Sequence, residues 1–344
     1  MGTNTRAGQQ SLSEALANWR EILQTQNLSE GKAIDPVSRW LLITRASVFP
    51  MTVFSAAVGG LLAAGVPGAN WYCFSLAMIG LVLAHAANNM INDYFDLGGG
   101  VDTEGYARTV YAPHPILSGL ISRSGLLAAI AAVNAIDFVI LIPIAMIQGA
   151  GIVAFALAGL FVSVFYVAPP IQLKHRGLGE PGVFIVWGPL MIGGTYLATT
   201  ATLPVTVLAA SVPYALLVTA VLFGKHIDKL DADSAKGIRT LPVILGRERA
   251  LICARALLVS FYATVAVLVG AGILGVWTLL VLVSIPRLRE TLKVFGQAPP
   301  AEPPPGYPIW PLWYVAWAFR LTRTAGGLLV VGMALNAFLP VSSQ

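Results

Sequence analysis

The sequence predicts an all-α, polytopic membrane protein with about nine transmembrane helices arranged around a central cavity. Three observations carry that expectation. Apolar stretches close to the ~20 residues a helix needs to cross a bilayer recur along the whole chain. Of 344 residues, 56% are hydrophobic and 11% charged, with a mean hydropathy of +0.75, whereas a soluble domain carries about 25% charged residues. The charges that remain gather in alternate connections. A soluble enzyme, a disordered chain and a disulfide-stapled secreted module are thereby excluded. The net charge of +5 would suggest nucleic acid in a soluble protein, but its distribution points to a membrane surface instead. Cys73 and Cys253 lie in separate apolar runs and read as packing residues rather than a bridge or metal pair.

Residues 1–39 are polar and lack the basic-then-apolar pattern of a cleaved signal. Within them Leu12, Leu16, Trp19 and Leu23 repeat at helical spacing, and Ser11 with Glu14 forms a capping-box pattern. The helix so predicted either lies on the membrane surface or packs on the protein. Residues 40–340 form the transmembrane domain, with spans at 41–64, 71–92, 124–147, 150–168, 182–200, 204–225, 250–270, 274–291 and 322–339. Helices are expected because lipid offers unpaired backbone groups no partner. Breakers fall between the spans, as at Val66-Pro67-Gly68, Ala168-Pro169-Pro170 and Leu203-Pro204.

Connections near 65–70, 147–151, 200–204 and 270–274 contain no Lys, Arg, Asp or Glu. Nearly every charge sits in the N-terminal segment and in the connections near 93–123, 169–181, 226–249 and 287–323. An odd number of crossings puts these sets on opposite sides, and the Lys/Arg excess marks the cytoplasmic one. The N-terminus is then inside and the tail after Leu339 outside. Residues 298–308, rich in proline, read as a stiff extended loop.

The informative residues lie where the second and sixth spans meet the charged side. The first stretch reads Asn88-Asn-Met-Ile-Asn-Asp-Tyr-Phe-Asp96, then Gly98-Gly-Gly-Val-Asp102. If the helix continues, His85, Asn89, Asp93 and Asp96 share one face, and the glycine run lets Asp102 fold back toward it. The second stretch is Lys225-His-Ile-Asp228-Lys-Leu-Asp231-Ala-Asp233. Asp228 and Asp231 share a helix face, whereas Asp233 points elsewhere unless the helix has ended. Carboxylates so close need a neutralising cation, and hard Mg²⁺ takes carboxylate oxygens completed by phosphates and water. Two such clusters facing each other suit a diphosphate held between Mg²⁺ ions, with Arg108, Lys174, Arg176, Lys225 and Arg239 taking the remaining phosphate charge.

Each of these residues also has a plainer reading. Acidic groups at helix ends are often only solvated. His85 reads as a hydrogen-bonded interior residue more readily than a ligand, Asp137 beside Asn134 as a partner for a neighbouring helix, and Arg45 either snorkels or reaches the phosphates. A weak internal repeat favours the site: both clusters are followed by Pro-x-x-x-Gly, Pro115 to Gly119 and Pro242 to Gly246. Two four-helix halves plus a ninth helix would bring the clusters together across the cavity.

Asn89-Met-Ile-Asn-Asp93-Tyr-Phe-Asp96 with Gly100-Val-Asp102, Tyr166-Val-Ala-Pro-Pro-Ile-Gln-Leu-Lys174 with Gly177-Leu-Gly-Glu180, and Gly237-Ile-Arg-Thr-Leu-Pro-Val-Ile-Leu-Gly246 resemble the UbiA superfamily of intramembrane prenyltransferases. Within it they look most like the 1,4-dihydroxy-2-naphthoate prenyltransferase branch of menaquinone synthesis. Two departures stand out. The family's second motif usually reads Asp-x-x-x-Asp after an Asn-rich lead, and His114-Pro115 stands where many members carry Arg-Pro. The resemblance implies an integral protein of a bacterial or archaeal cytoplasmic membrane. In it, Mg²⁺ on Asp93, Asp96, Asp228 and Asp231, with Asp102 and Asp233 as further candidates, grips a polyprenyl diphosphate. Ionisation in a dry cavity and attack by an aromatic acceptor would follow, with Asn89 and Lys174 orienting the substrates. Competing readings are the same fold acting without an aromatic acceptor, and an ion-coupled transporter. Transport needs ionisable groups near the midplane, against which the one-sided carboxylates count.

Overall fold

The computed structural model describes residues 11–339 apart from residue 104, and the described residues are helical with no strands. Residues 1–10 and the tail beyond Leu339, to which the sidedness reading extends, lie outside them. The N-terminal helix α1 (Leu12–Thr25) begins on the expected capping box, with Ser11 and Glu14 each accepting the other's backbone N–H. It packs through Ile22 and through Asn18, whose amide donates to Ala33 O at 3.1 Å. The Leu12–Leu16–Leu23 stripe stays exposed.

The first expected span is broken. Helix α2 (Pro36–Ile43) stops at Arg45, which is left-handed (φ 55°), and after a short 3-10 turn at Ala46–Val48 the chain resumes as α3 (Phe49–Ala63). A left-handed non-glycine residue costs about 1–2 kcal/mol. The break turns the Arg45 guanidinium inward, where it meets Asp93. Helix α4 (Trp71–Gly98) runs through the acidic stretch as expected, followed by short α5 (Ala107–Tyr111), then α6 (Arg123–Gln148) and α7 (Gly151–Phe165). The fifth span is one rod of three segments: α8 (Gly179–Ile185), a π-helical stretch Val186–Gly193 that contains Pro189, and α9 (Gly194–Thr200).

Helix α10 (Val205–Asp228) ends at Asp228, and short α11 (Leu230–Ala235) and α12 (Leu241–Leu245) lead into α13 (Arg247–Gly270). A 3-10 run, Val276–Ser284, continues as α14 (Ile285–Val294), and α15 (Tyr314–Phe338) closes the fold. Seven helices among the described residues are long and apolar enough to cross a membrane. The other two of the nine expected spans are present as helix but fall short of that description. Helix α7 has only 15 residues, stopped by Gly149 before it and by the Pro169-Pro170 pair after it. The eighth runs at 3-10 pitch over Val276–Ser284, with α15 lying close against its backbone: a Cβ on Gly332 would meet Trp277 O at 2.4 Å.

Tyr214, Phe261 and Leu217 fill the core around α10, all fully buried. At Gly224 the two helices approach so closely that a Cβ would meet the Val315 backbone at 2.9 Å, which brings the start of α15 against the end of α10. Between the helices lies an apolar cavity of 490 Å³, within the ~300–1,000 Å³ of small-molecule sites. Phe138 of α6 and Leu157 and Leu160 of α7 line it and are also exposed, at 65%, 58% and 44%. The cavity therefore opens sideways between these two helices.

Candidate active site

At the charged end of the cavity lies a small polar pocket that shares Arg45, Asn92, Tyr111, Tyr166 and Lys225 with it. The α4 face delivers residues to both: His85 and Asn89 line the apolar cavity, Asp96 the polar pocket. His85 Nδ1 pairs with the Thr52 hydroxyl at 2.7 Å, and the Asn89 amide donates to Thr44 O at 2.9 Å. The chain then folds back as the glycines allow. Gly100 has φ +72°, and the N–H groups of Val101 and Asp102 donate to Asp96 O at 2.8 and 3.1 Å, setting Asp102 in the pocket beside Asp96.

Asp93 is 0% exposed and does not line the polar pocket. Arg108 donates to it from Nε at 3.1 Å and Nη2 at 3.2 Å, and Arg45 from Nε at 3.2 Å and from Nη2. Two guanidiniums on one carboxylate hold the Arg45 break, α4 and α5 together, and orient both arginines along the pocket wall. Asp96 is paired with Lys174, at 2.8 and 2.6 Å.

Asp102 Oδ2 has no hydrogen-bond partner, and its nearest basic neighbour is His114 Nε2 at 3.5 Å. His114 Nδ1 accepts the N–H groups of Ile116 and Leu117 at 3.3 and 3.4 Å, which assigns the ring proton to Nε2. This histidine, read in sequence only as a missing arginine, is thus a donor facing Asp102. Burial alone would raise the Asp102 carboxyl; His114, then Arg108 and Arg45 over the opposing Asp93, bring it below the usual carboxylate range.

The second acidic run is dispersed. Because α10 ends at Asp228, the shared face expected for Asp228 and Asp231 does not form. Asp228 accepts the backbone N–H groups of Tyr314 and Val315, both at 2.9 Å, and so caps α15. Asp231 is 84% exposed at its side chain and paired with Arg247 at 2.8 Å. Neither lines the polar pocket, which corrects the placement expected for them. Arg176 and Arg239 are likewise exposed, bridged to each other through their backbones rather than aimed at the pocket.

Asp233, for which the helix has indeed ended, turns inward. Its Oδ1 accepts the Tyr106 hydroxyl and lies 3.4 Å from Lys229 Nζ, while Oδ2 has no partner. Burial first, then Asp233, raises the Tyr106 pKa, keeping it a donor. Lys236 reaches back across the same junction to Gly100 O at 3.1 Å and Thr103 Oγ1 at 2.8 Å. The two stretches therefore meet, through Tyr106–Asp233 and Lys236 rather than through Asp228.

Two pocket residues, Lys229 and His226, and the Glu180 behind them carry little site signal in the sequence. Lys229 lines the pocket between Asp228 and Asp231, where it passed for a spacer. Its signal was a spacing of four before Asp233, which places both on one side of a turn. Burial lowers its pKa, and Asp233 opposes that shift. His226 and Glu180 form a buried pair, Nδ1 to Oε1 at 2.6 Å, that braces α8 against α10; a 46-residue separation gave no local sign of it.

The family model for the "UbiA prenyltransferase family" matches residues 52–301. The chain belongs to the UbiA family. It is accordingly an integral membrane protein and an enzyme of the prenyl-transferring class. A 2-carboxy-1,4-naphthoquinone phytyltransferase of Synechocystis is 25% identical over 261 residues, covering 75% of this chain and 82% of that protein. A 1,4-dihydroxy-2-naphthoate octaprenyltransferase of Bacillus subtilis is 22% identical, with 74% and 81% covered. A digeranylgeranylglyceryl phosphate synthase of Natronomonas pharaonis is 30% identical, with 67% and 76% covered. Among solved structures, a UbiA homolog of Aeropyrum pernix superposes with a TM-score of 0.59 at 19% identity, covering 84% and 98% of the two chains. One from Archaeoglobus fulgidus, bound to GPP and Mg²⁺, gives 0.57 at 14%, covering 85% and 99%.

Proposed function

We propose that this UbiA protein transfers a polyprenyl group from its diphosphate to an aromatic acceptor of the 1,4-dihydroxy-2-naphthoate kind, at the cytoplasmic face of the membrane. One observation carries the reading: a cationic polar pocket opens directly into an apolar cavity with a lipid-facing slot. That shape matches a substrate whose anionic head and hydrocarbon tail differ most in what they need. The family relatives named for naphthoate substrates support the acceptor class, and the Lys/Arg excess at the pocket end supports the cytoplasmic side.

The residues fit a hard divalent cation such as Mg²⁺. Asp96 and Asp102 offer oxygen donors on one wall, Asp102 Oδ2 is buried without a partner, and the two Lys174 contacts leave lone pairs on Asp96. His114 Nε2 also lies in one group with Asp93 and Asp102, and could ligate only by moving its ring proton to Nδ1, at the expense of the Ile116 and Leu117 N–H contacts. When bound, such a cation supplies Lewis-acid stabilisation of charge on the departing diphosphate. Arg45, Arg108, Lys174, Lys225 and Lys229 take the remaining phosphate charge through charge-assisted hydrogen bonds, and their positions are fixed before substrate arrives. The prenyl C1–O bond then lies at the junction of pocket and cavity. Its heterolysis leaves pyrophosphate in the pocket and an allylic cation in the apolar chamber, away from water. The acceptor ring forms the new C–C bond, and the displaced ring substituent leaves as a proton, or as carbon dioxide from a carboxylated carbon. Asn89 and Asn92, lining the chamber beside the pocket, orient the acceptor.

The test uses purified protein in detergent, several polyprenyl diphosphates and a panel of aromatic acids, with and without Mg²⁺. Prenylated product that requires both a naphthoic acid and the diphosphate is expected. Pyrophosphate release without any acceptor would assign the protein to the acceptor-free reaction instead.

A further inference from the structure

Acidic runs at the ends of α4 and α10 predict carboxylates, and hence metal, on both sides of a bound diphosphate. The structure supplies carboxylates on one side only. On the α4 side Asp96 and Asp102 line the polar pocket; on the α10 side the lining groups are Lys225, His226 and Lys229. The carboxylates of the α10 run are committed elsewhere: Asp228 to the backbone of α15 and Asp231 to Arg247 at the surface. The third, Asp233, stands behind Lys229 and already carries the Lys229 ammonium at 3.4 Å and the Tyr106 hydroxyl.

Lys229 is held firmly. Its Nζ sits 4.7 Å from the centroid of the Tyr106 ring, and Lys236 occupies another position over the same ring at 4.6 Å. The free oxygen of Asp233 is Oδ2, and a divalent cation there would sit beside the Lys229 ammonium on Oδ1, where two like charges repel strongly in a buried site. Lys225 forms no ion pair among the described residues, yet it lines both the polar pocket and the apolar cavity. The residue is half-buried; an ammonium partly withdrawn from water without a counter-ion is costly, and an anionic ligand in the pocket removes that cost.

We propose that this site takes a single divalent cation, on Asp96 and Asp102, and that Lys225 and Lys229 grip the diphosphate from the α10 side in place of a second one. The proposal rests on the prenyl diphosphate reading above and specifies how its head is neutralised. Metal dependence is then graded rather than absolute, because much of the neutralising charge belongs to the chain.

The experiment is a titration of the full-length protein in detergent with inorganic pyrophosphate, with Mn²⁺ as the probe metal counted by electron paramagnetic resonance. One Mn²⁺ per chain in the presence of pyrophosphate is expected, and measurable pyrophosphate binding persists in EDTA. Lys229→Met and, separately, Lys225→Met weaken pyrophosphate binding in EDTA about 10- to 100-fold, the worth of a charge-assisted contact, while the Mn²⁺ count stays at one. Lys229→Asp, which sets a second carboxylate four residues before Asp233, raises the count to two. The wild-type count needs no variant to fold, and each variant is compared at equal thermal stability and elution volume. Two Mn²⁺ in the wild type, or EDTA-resistant binding unaffected by both Met variants, overturns the proposal. Absence of pyrophosphate binding under every condition overturns instead the diphosphate reading beneath it.

Discussion

The ends of α4 and α10 look alike in sequence and behave oppositely in the structure. Each presents three aspartates within ten residues, followed by a Pro-x-x-x-Gly turn whose glycine adopts positive φ, 68° at Gly119 and 78° at Gly246. At α4 the helix continues and the glycine run returns the chain, so two carboxylates reach the pocket and the third anchors two arginines beside it. At α10 the helix stops at Asp228, and its three carboxylates go to a helix cap, to solvent and to a position behind a lysine. Local composition makes acidic clusters; where the helix ends decides what they face.

Substitutions can break that comparison. Asp96→Asn or Asp102→Asn is expected to lower kcat/KM by about 100- to 1,000-fold, read by product formation at saturating Mg²⁺; Asp102→Asn changes thermal stability little, whereas Asp96→Asn also lowers it by leaving the buried Lys174 ammonium without its carboxylate. Retained activity in both would remove the α4 side from the chemistry. Asp93→Asn leaves two buried guanidiniums without their shared counter-ion, a change worth about 3–5 kcal/mol. It should appear first as a fall in unfolding temperature in detergent, and an unshifted transition would show that Asp93 is not a fastening point.

Asp228→Ala removes the acceptor for two N–H groups at the start of α15 and should cost about 1–2 kcal/mol. Activity per folded molecule should stay within about threefold; a loss as deep as that of Asp96→Asn would return Asp228 to the catalytic side of the comparison. Asp231→Ala, at an exposed pair, should leave both stability and turnover essentially where they were. Its activity is the baseline against which the other four are read.

Much of this was legible in the sequence. The apolar periodicity fixed the helical membrane architecture, because lipid permits few alternatives. The position of Asp96 and Asp102 at the end of α4 was legible because helix continuation and a glycine fold-back are local events, decided within residues 85–102; that Asp93, expected beside them as a ligand, is instead closed off by Arg45 and Arg108 was not. The role of Asp228 was not, since its partners, Tyr314 and Val315, lie 86 and 87 residues away and meet it only because Gly224 lets α15 come so near. Arg45 was undecidable for a related reason: a left-handed residue inside an apolar run carries no composition signal, and its inward turn shows only against Asp93. Lys229 stands between two aspartates and carries only a weak sign of its role, the four-residue interval to Asp233.

The gap bordered by Phe138, Leu157 and Leu160 bears on which molecules this protein can process. A sealed chamber acts as a ruler, rejecting any hydrocarbon longer than its depth. A chamber with a slit along its flank does not measure in that way: the first isoprene units are enclosed and the rest dissolve among the surrounding acyl chains. On the prenyl-diphosphate reading proposed above, selectivity would then fall on the anionic head and the first few carbons, and donors of quite different length would be interchangeable.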